Sequence, residues 1–466
     1  MALKGPTALG ASAGQGGRHR RRVGPRIRRR RSAMCKDSVR ESQLAARESQ
    51  SCATVSRAYR PRLPAGPLDE ALSDTPVVVV AGPRQAGKST LAQHVVTGQG
   101  GTWLSLDDAA TLDVARTDPV GFVTGRTGLV AIDEAQRVPE LLLAVKAQVD
   151  RDRRPGRFLL TGSTRFLGAP RLADSLAGRM EVLTLWPFTQ SELAGGQART
   201  GLIDAAFGGG IGDLRPHPVG RADVLQRAVR GGYLPALDRT DRRRTAWFDS
   251  YVAGVVDREV RAVSDVAYLR ELPRLLRLIA ARTSGELNVT DVARDLGLSR
   301  PTTDSYLAHL EKVFLVQNVP AWSTNLTSRV VRRPTIGLTD TGLAARLLGG
   351  RVRSDADIAG RLIETFVTNE VRAQSEWSAT RPQLFHYRDR DGHEVDLVLE
   401  SGDGRVIGIE VKAGATVRSE DLHGLRLLDQ RLEDDFAAGV VLCTCPAPVH
   451  LGGRLWTLPM SVLWSG

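Results

Sequence analysis

Apolar positions along this chain follow two rhythms. Short, nearly unbroken runs at residues 77–81, 102–108, 129–134 and 157–164 read as buried strands, and the stretches between them carry helix-compatible patterns. Strands that alternate with helices predict an α/β fold with a parallel sheet. From Arg221 to Arg261 the pattern turns helical, broken at Gly231-Gly232-Tyr233-Leu234-Pro235, and predicts a lid preceded by an insertion loop over 208–218. An amphipathic helix over 269–282, a second over 289–299 and a third over 301–314, with strands at 316–319 and 335–338, outline a helix-turn-helix with a wing. The last third predicts a helix (361–372), three strands (384–387, 394–399, 406–412), a helix (419–432) and a strand (439–443).

Chemistry concentrates where the first strand ends. Val77-Val78-Val79-Val80-Ala81 runs into Gly82-Pro83-Arg84-Gln85-Ala86-Gly87-Lys88-Ser89-Thr90, a G-x-x-x-x-G-K-S loop followed by a helix. Backbone N–H groups must approach phosphate oxygens there, and glycines at Gly82 and Gly87 leave that approach open. Lys88 is expected to reach the β- and γ-phosphates of ATP, and the Ser89 hydroxyl to take a position on Mg²⁺. The helix that starts near Lys88 adds its N-terminal dipole. Leu129-Val130-Ala131-Ile132-Asp133-Glu134 is an apolar run ending in two acids. Asp133 is expected to hold Mg²⁺ through water and Glu134 to deprotonate the attacking water. Ser163 or Thr164, after the fourth strand, either touches the γ-phosphate or attacking water or serves as a helix N-cap.

The third helix of the middle region is expected to be capped by Ser299 and to bury Leu307, Leu310, Val313 and Phe314, leaving Arg300, Thr302, Thr303 and Ser305 outward. Asp304 and Glu311 share that helix without a Lys or Arg cluster, a poor electrostatic fit to DNA, so a packing module without DNA is an equal reading.

Length and charge adjust this picture. At 466 residues the chain has room for about three domains. The net charge of +12 resembles a nucleic-acid binder until it is located. Lys4 and nine arginines between Arg18 and Arg31 precede the first acid, Asp37, so the rest of the chain is close to neutral. Residues 1–58 are Gly, Arg and Ser rich and are expected to be disordered. They leave open a start placed too early (Met34 is an internal candidate), nonspecific polyanion binding, or targeting. Cys35, Cys52, Cys443 and Cys445 make no disulfide or metal framework, which fits a reducing cytoplasm. No apolar run approaches the ~20 residues that span a bilayer, so no membrane is expected.

The segments Gly82–Thr90, LVAIDEAQRVP (129–139), RFLLTGST (157–164) and SLAGR (175–179) resemble the prokaryotic AAA-type ATPases that carry a C-terminal domain of unknown function, DUF4143. The resemblance spans nearly everything after Tyr59. It implies that Ser163 acts as a sensor and that Arg179 is positioned as a finger on a neighbouring subunit's γ-phosphate, within a homo-oligomer. The element order of the last third resembles the restriction-endonuclease-like fold. Asp396, Glu410 and Lys412 match its D…E-x-K pattern, in which two carboxylates hold a divalent metal and the lysine steadies water. Glu364, with Glu370 behind it, matches the helical acid some of these nucleases add. A Glu410–Lys412 salt bridge on an exposed face is the alternative.

The expected architecture is thus a basic tail (1–58), a P-loop ATPase domain with lid (59–262), a winged-helix module (263–320), a connector (321–350) and a nuclease-like α/β domain (351–466). The expected function is ATP binding and hydrolysis coupled to a C-terminal domain for which DNA remains an open partner. A non-enzymatic, nucleotide-gated regulator is the competing reading. A small-molecule kinase is disfavoured by Asp133-Glu134 and by the lack of an acceptor motif.

Overall fold

Four consecutive valines form β1 (Val77–Ala81), and their alternation supplies two cores at once. Val77 and Val79 join one apolar cluster, Val78 and Val80 another on the opposite face of the sheet. A strand buried on both faces is what a parallel α/β sheet requires. With β2 (Thr102–Ser105), β3 (Val130–Asp133), β4 (Phe158–Gly162) and β5 (Met180–Thr184) it builds a five-stranded sheet in the order β2-β3-β4-β1-β5. Every pairing is parallel. The C-terminal ends of β1 and β3 therefore lie on one edge, with β4 between them, and bring Gly82, Asp133 and Thr161 together. This computed structural model describes residues 59–164, 176–196, 201–256, 271–350, 352–353 and 356–465. The expectations for the tail, the end of the lid and the start of the winged-helix module lie outside the described residues.

The lid region is helical at Arg221–Arg230, Leu234–Leu237 and Asp241–Val255. The helices Leu272–Ala281, Val289–Leu296 and Arg300–Lys312 follow. A small antiparallel sheet with β6 (Gly285–Glu286), β7 (Val316–Val319) and β8 (Thr335–Leu338) in the order β6-β8-β7 accompanies them. Because β8 is its middle strand, Thr335–Leu338 belongs to this unit, whereas earlier in the span expected as a connector Ala321 pairs with His386 and Trp322 joins an apolar cluster with Phe385 and Tyr387. Thr303 also departs from expectation: it is fully buried, its hydroxyl donating to the Ser299 carbonyl at 3.0 Å. Arg300 is drawn toward Asp304, 3.7 Å away, which reduces the charge this helix offers outward.

The last sheet is mixed, in the order β13-β14-β12-β11-β10-β9, from β9 (Gln383–Arg388), β10 (Glu394–Glu400), β11 (Val406–Val411), β12 (Phe436–Cys443), β13 (Val449–Gly452) and β14 (Leu455–Pro459). The long helix Asp357–Ser375 packs on it, and one apolar cluster runs from Leu202 through the middle helices to Ile407 and Trp464. The C-terminal part is thus welded to the middle of the chain.

Glu370 lies in that weld and not at the Asp396 cluster. Its carboxylate accepts from the Gln190 N–H at 3.0 and 3.1 Å, capping a short helix of the front domain. Burial, with a smaller push from Glu192, raises its pKa to about 8 against the ordinary 4.5, although the Gln190 bond opposes the shift. Between pH 4.5 and 8 the native state then holds a proton that the unfolded chain has lost, so this group's effect on stability is lost as pH rises through that window. Glu370→Gln, which keeps an acceptor for Gln190, is expected to show a smaller fall in Tm between pH 5.5 and 8.5 than the unaltered protein. Parallel pH curves for the two proteins would contradict this assignment.

Candidate functional site

The loop after β1 is shaped by its own backbone. Gly82 has φ +152°, and a Cβ there would sit 2.2 Å from the carbonyl oxygen of Leu185, the residue after β5. Gly87 has φ +95° and delivers the chain into the Lys88–Gly98 helix. Lys88 is 4% exposed, its ammonium donating to the carbonyls of Gly82 (3.0 Å) and Pro83 (2.9 Å) inside the loop. From the lid, the Tyr251 hydroxyl donates to the Arg84 carbonyl at 3.3 Å and shares a 2.8 Å bond with the Tyr233 hydroxyl.

Asp133 is the hub. The hydroxyls of Ser89 and Thr161 both donate to its Oδ1, at 2.7 and 2.6 Å, and Ser105 donates to Oδ2 at 3.2 Å. A hydroxyl and a carboxylate oxygen in contact at the mouth of an anion-binding loop form a hard-oxygen pair suited to Mg²⁺. The donor chemistry therefore fits the cation expected with ATP. Glu134 follows with φ +55°, a left-handed backbone that its N–H bond to Thr161 Oγ1 (3.1 Å) helps to hold. Its carboxylate accepts from Ser163 at 3.0 Å and from the Gln136 amide, and that amide also donates to Ser163 at 3.0 Å.

Sequence reasoning therefore brought the right segments together but missed Thr161, the residue that touches both acids. It is a lone threonine in an apolar run, and its position as the last inward residue of the strand between the two motif strands was the available signal. Ser163 lies against Glu134, as a holder of that carboxylate. Arg179 does not face its own loop. It precedes β5, at the N-terminal edge of the sheet, where its carbonyl accepts from Val77 N–H and its guanidinium bonds Asp150 at 2.7 Å. In a parallel sheet this edge is the far one from Gly82, which excludes a role on the phosphates of its own site.

A second group of charges gathers at β10 and β11, which run antiparallel with Leu397 opposite Ile409, placing Asp396 across from Glu410. Asp396 Oδ2 accepts from the Val411 N–H at 2.7 Å, and Lys412 bridges Glu410 at 2.9 Å and Asp421 at 3.4 Å. Burial, then the Asp396 charge, raises Glu410 to about 8. Burial raises Asp396 to about 6 against the bond from Val411. Glu364, on the long helix, is pushed well above the ordinary range by burial and then by Asp396 and Glu410. Burial acts to lower Lys412, and the surrounding carboxylates, led by Glu410, raise it above its usual value. These acids feel one another without closing into a tight trio. Among the described residues the ligand groups that converge within 4.8 Å are Asp389, Asp391 and His393, in the turn between β9 and β10.

Known proteins place these features. Residues 74–194 match the family model of an AAA domain, 221–354 a domain of unknown function (DUF8612), and 359–463 another (DUF4143). Uncharacterized proteins Rv2008c of Mycobacterium tuberculosis and Mb2031c of Mycobacterium bovis are each 30% identical over 371 residues, covering 78% of this chain and 76% of theirs. Among solved structures, a Walker-type ATPase of Pyrococcus abyssi is similar at 15% identity (61% of this chain, 94% of that one, TM-score 0.35). The RuvB Holliday junction branch migration motor of Thermotoga maritima is similar at 20% (55% and 89%, TM-score 0.27). With an AAA domain in front, DUF4143 behind and a match to the mycobacterial proteins over 78% of this chain and 76% of theirs, the chain belongs to the family of AAA-domain proteins with a C-terminal DUF4143 domain.

Proposed function

We propose that this protein binds ATP with Mg²⁺ and hydrolyses it. The observation that carries the reading is the contact of Ser89, Asp133 and Thr161 at the mouth of the Gly82–Ser89 loop, with Glu134 beside it. Backbone amides of the loop and Lys88 bind the phosphates, Ser89 and Asp133 hold the magnesium ion, and Glu134 accepts a proton from water. Magnesium supplies charge neutralisation on the β- and γ-phosphates when bound. Ser163 and Gln136 fix where the Glu134 carboxylate points, and Thr161 fixes the peptide that carries it. In this reading Arg179 serves a neighbouring copy in a homo-oligomer, since it faces away from its own loop. The test is phosphate release from ATP by purified protein: magnesium-dependent turnover supports the proposal, and none with or without magnesium contradicts it.

A second activity is favoured by the shared field of Glu364, Asp396, Glu410 and Lys412, which suits a metal-dependent nuclease of restriction-endonuclease-like fold acting on DNA. A divalent ion displaces protons from raised carboxylates, so Mn²⁺ affinity is expected to rise between pH 6 and 8, as Asp396 (about 6) and Glu410 (about 8) ionise. Asp396→Asn is expected to lower it by roughly tenfold or more. Calorimetric titration at two pH values checks this, and affinity that falls with pH contradicts it. Plasmid or branched-DNA cleavage that survives Asp396→Asn and Lys412→Ala would place the activity elsewhere. A cytoplasmic setting accompanies the proposal: Cys443 and Cys445 are free and buried. No described helix is long and apolar enough to cross a membrane.

A further inference from the structure

Arg62 lies outside every motif, yet it is 5% exposed, and its guanidinium reaches into the phosphate loop. Nη1 donates to the Ala86 carbonyl at 2.6 Å, and Nη2 donates to the Trp186 carbonyl at 2.8 Å. Nε bonds Glu192 at 2.7 Å, and the guanidinium carbon stands 4.0 Å over the Phe188 ring. Glu192 is itself saturated: its side chain is fully buried, and it also accepts from the backbone N–H groups of Leu63 (3.1 Å) and Thr189 (3.0 Å). An ion pair buried this completely is costly to desolvate and rarely adds stability over apolar packing, so its retention calls for another role.

The Ala86 carbonyl indicates that role. In a planar trans peptide the carbonyl and the following N–H point to opposite sides. Holding Ala86 O toward Arg62 therefore turns the Gly87 N–H away from Arg62. That amide belongs to the cradle, and at φ +95° Gly87 has no intrinsic preference that would fix the peptide by itself. The far end of the clamp is firm, because the segment carrying Trp186, Phe188 and Glu192 is pinned at Phe188 N–H to Gly232 O (2.9 Å) and at Gln190 N–H to Glu370.

We infer that Arg62 is a positioning residue for nucleotide binding: it fixes the Ala86–Gly87 peptide so that Gly87 N–H faces the phosphates before ATP arrives. This rests on the ATP reading above and deepens it. A guanidinium is required because its planar fork serves two carbonyls and a carboxylate at once, which a lysine ammonium cannot.

The test uses the full chain, a ribose-labelled fluorescent ADP with Mg²⁺, and three variants. Arg62→Lys keeps the charge opposite Glu192. Arg62→Gln with Glu192→Gln removes both charges, so no lone buried carboxylate remains to unfold the protein. Arg60→Gln alters a half-exposed arginine 3.7 Å from Asp238 and is the control. The expected result is a Kd raised about tenfold or more in the first two, from losing the charge-assisted bond to the Ala86 carbonyl of the loop. The kcat at saturating ATP is expected to stay within about twofold of wild type, the signature of lost ground-state positioning. Folded variants whose Kd stays within about twofold of wild type overturn the assignment. If wild-type protein itself does not bind the labelled ADP, the ATP reading fails, and the assignment falls with it.

Discussion

Lys88→Ala is expected to lower ATP turnover at a fixed, sub-saturating ATP concentration by roughly 10²–10³-fold, the scale seen when one preorganised charge stabiliser is removed. Its ammonium sits buried inside the loop, donating to the Gly82 and Pro83 carbonyls, a short reach from where the loop amides would hold phosphate oxygens. Removing it leaves two loop carbonyls without that donor and takes the positive charge from the cradle. Both effects weaken phosphate binding, so Kd and turnover are expected to deteriorate together. Phosphate release and ADP binding measured on the same preparation check this, and unchanged affinity would remove Lys88 from phosphate contact.

Glu134→Gln is expected to separate binding from chemistry. The amide keeps the size of the carboxylate and its oxygen still accepts from Ser163, but it no longer takes a proton from water. Turnover should fall by roughly 10²–10⁴-fold, the usual worth of a general base. Affinity for ATP should change little, so the variant should retain ATP where the wild type releases ADP. A Glu134→Gln protein that hydrolyses at the wild-type rate would exclude Glu134 as the base and leave Asp133 and its hydroxyl partners as magnesium holders only.

Most of this was legible where the information is local. A valine run, two glycines and a lysine within fourteen residues define a strand, a turn and a helix start without help from distant contacts, and β3 with its two acids is equally self-contained. Residues whose meaning depends on distant partners were not legible. Arg62 is an arginine before a proline-flanked turn until Ala86 and Glu192, 24 and 130 positions away, close on it. Glu370 falls on a helix that suggests a catalytic acid, yet its carboxylate caps a helix 180 positions earlier. β5, Met-Glu-Val-Leu-Thr, alternates too weakly to stand out, and the β13–β14 hairpin turns on Gly452-Gly453 in a stretch too short for its periodicity to register. Arg179 could be matched to a motif, but only the parallel register showed which edge of the sheet it occupies.

The account depends first on the loop gripping a nucleotide. Equilibrium titration of the purified chain with ATP, in Mg²⁺ and in its absence, measures that directly. A saturable, magnesium-enhanced Kd of roughly 1 μM–1 mM is predicted. No detectable association at millimolar ATP with magnesium, from protein that melts cooperatively, would contradict the central claim.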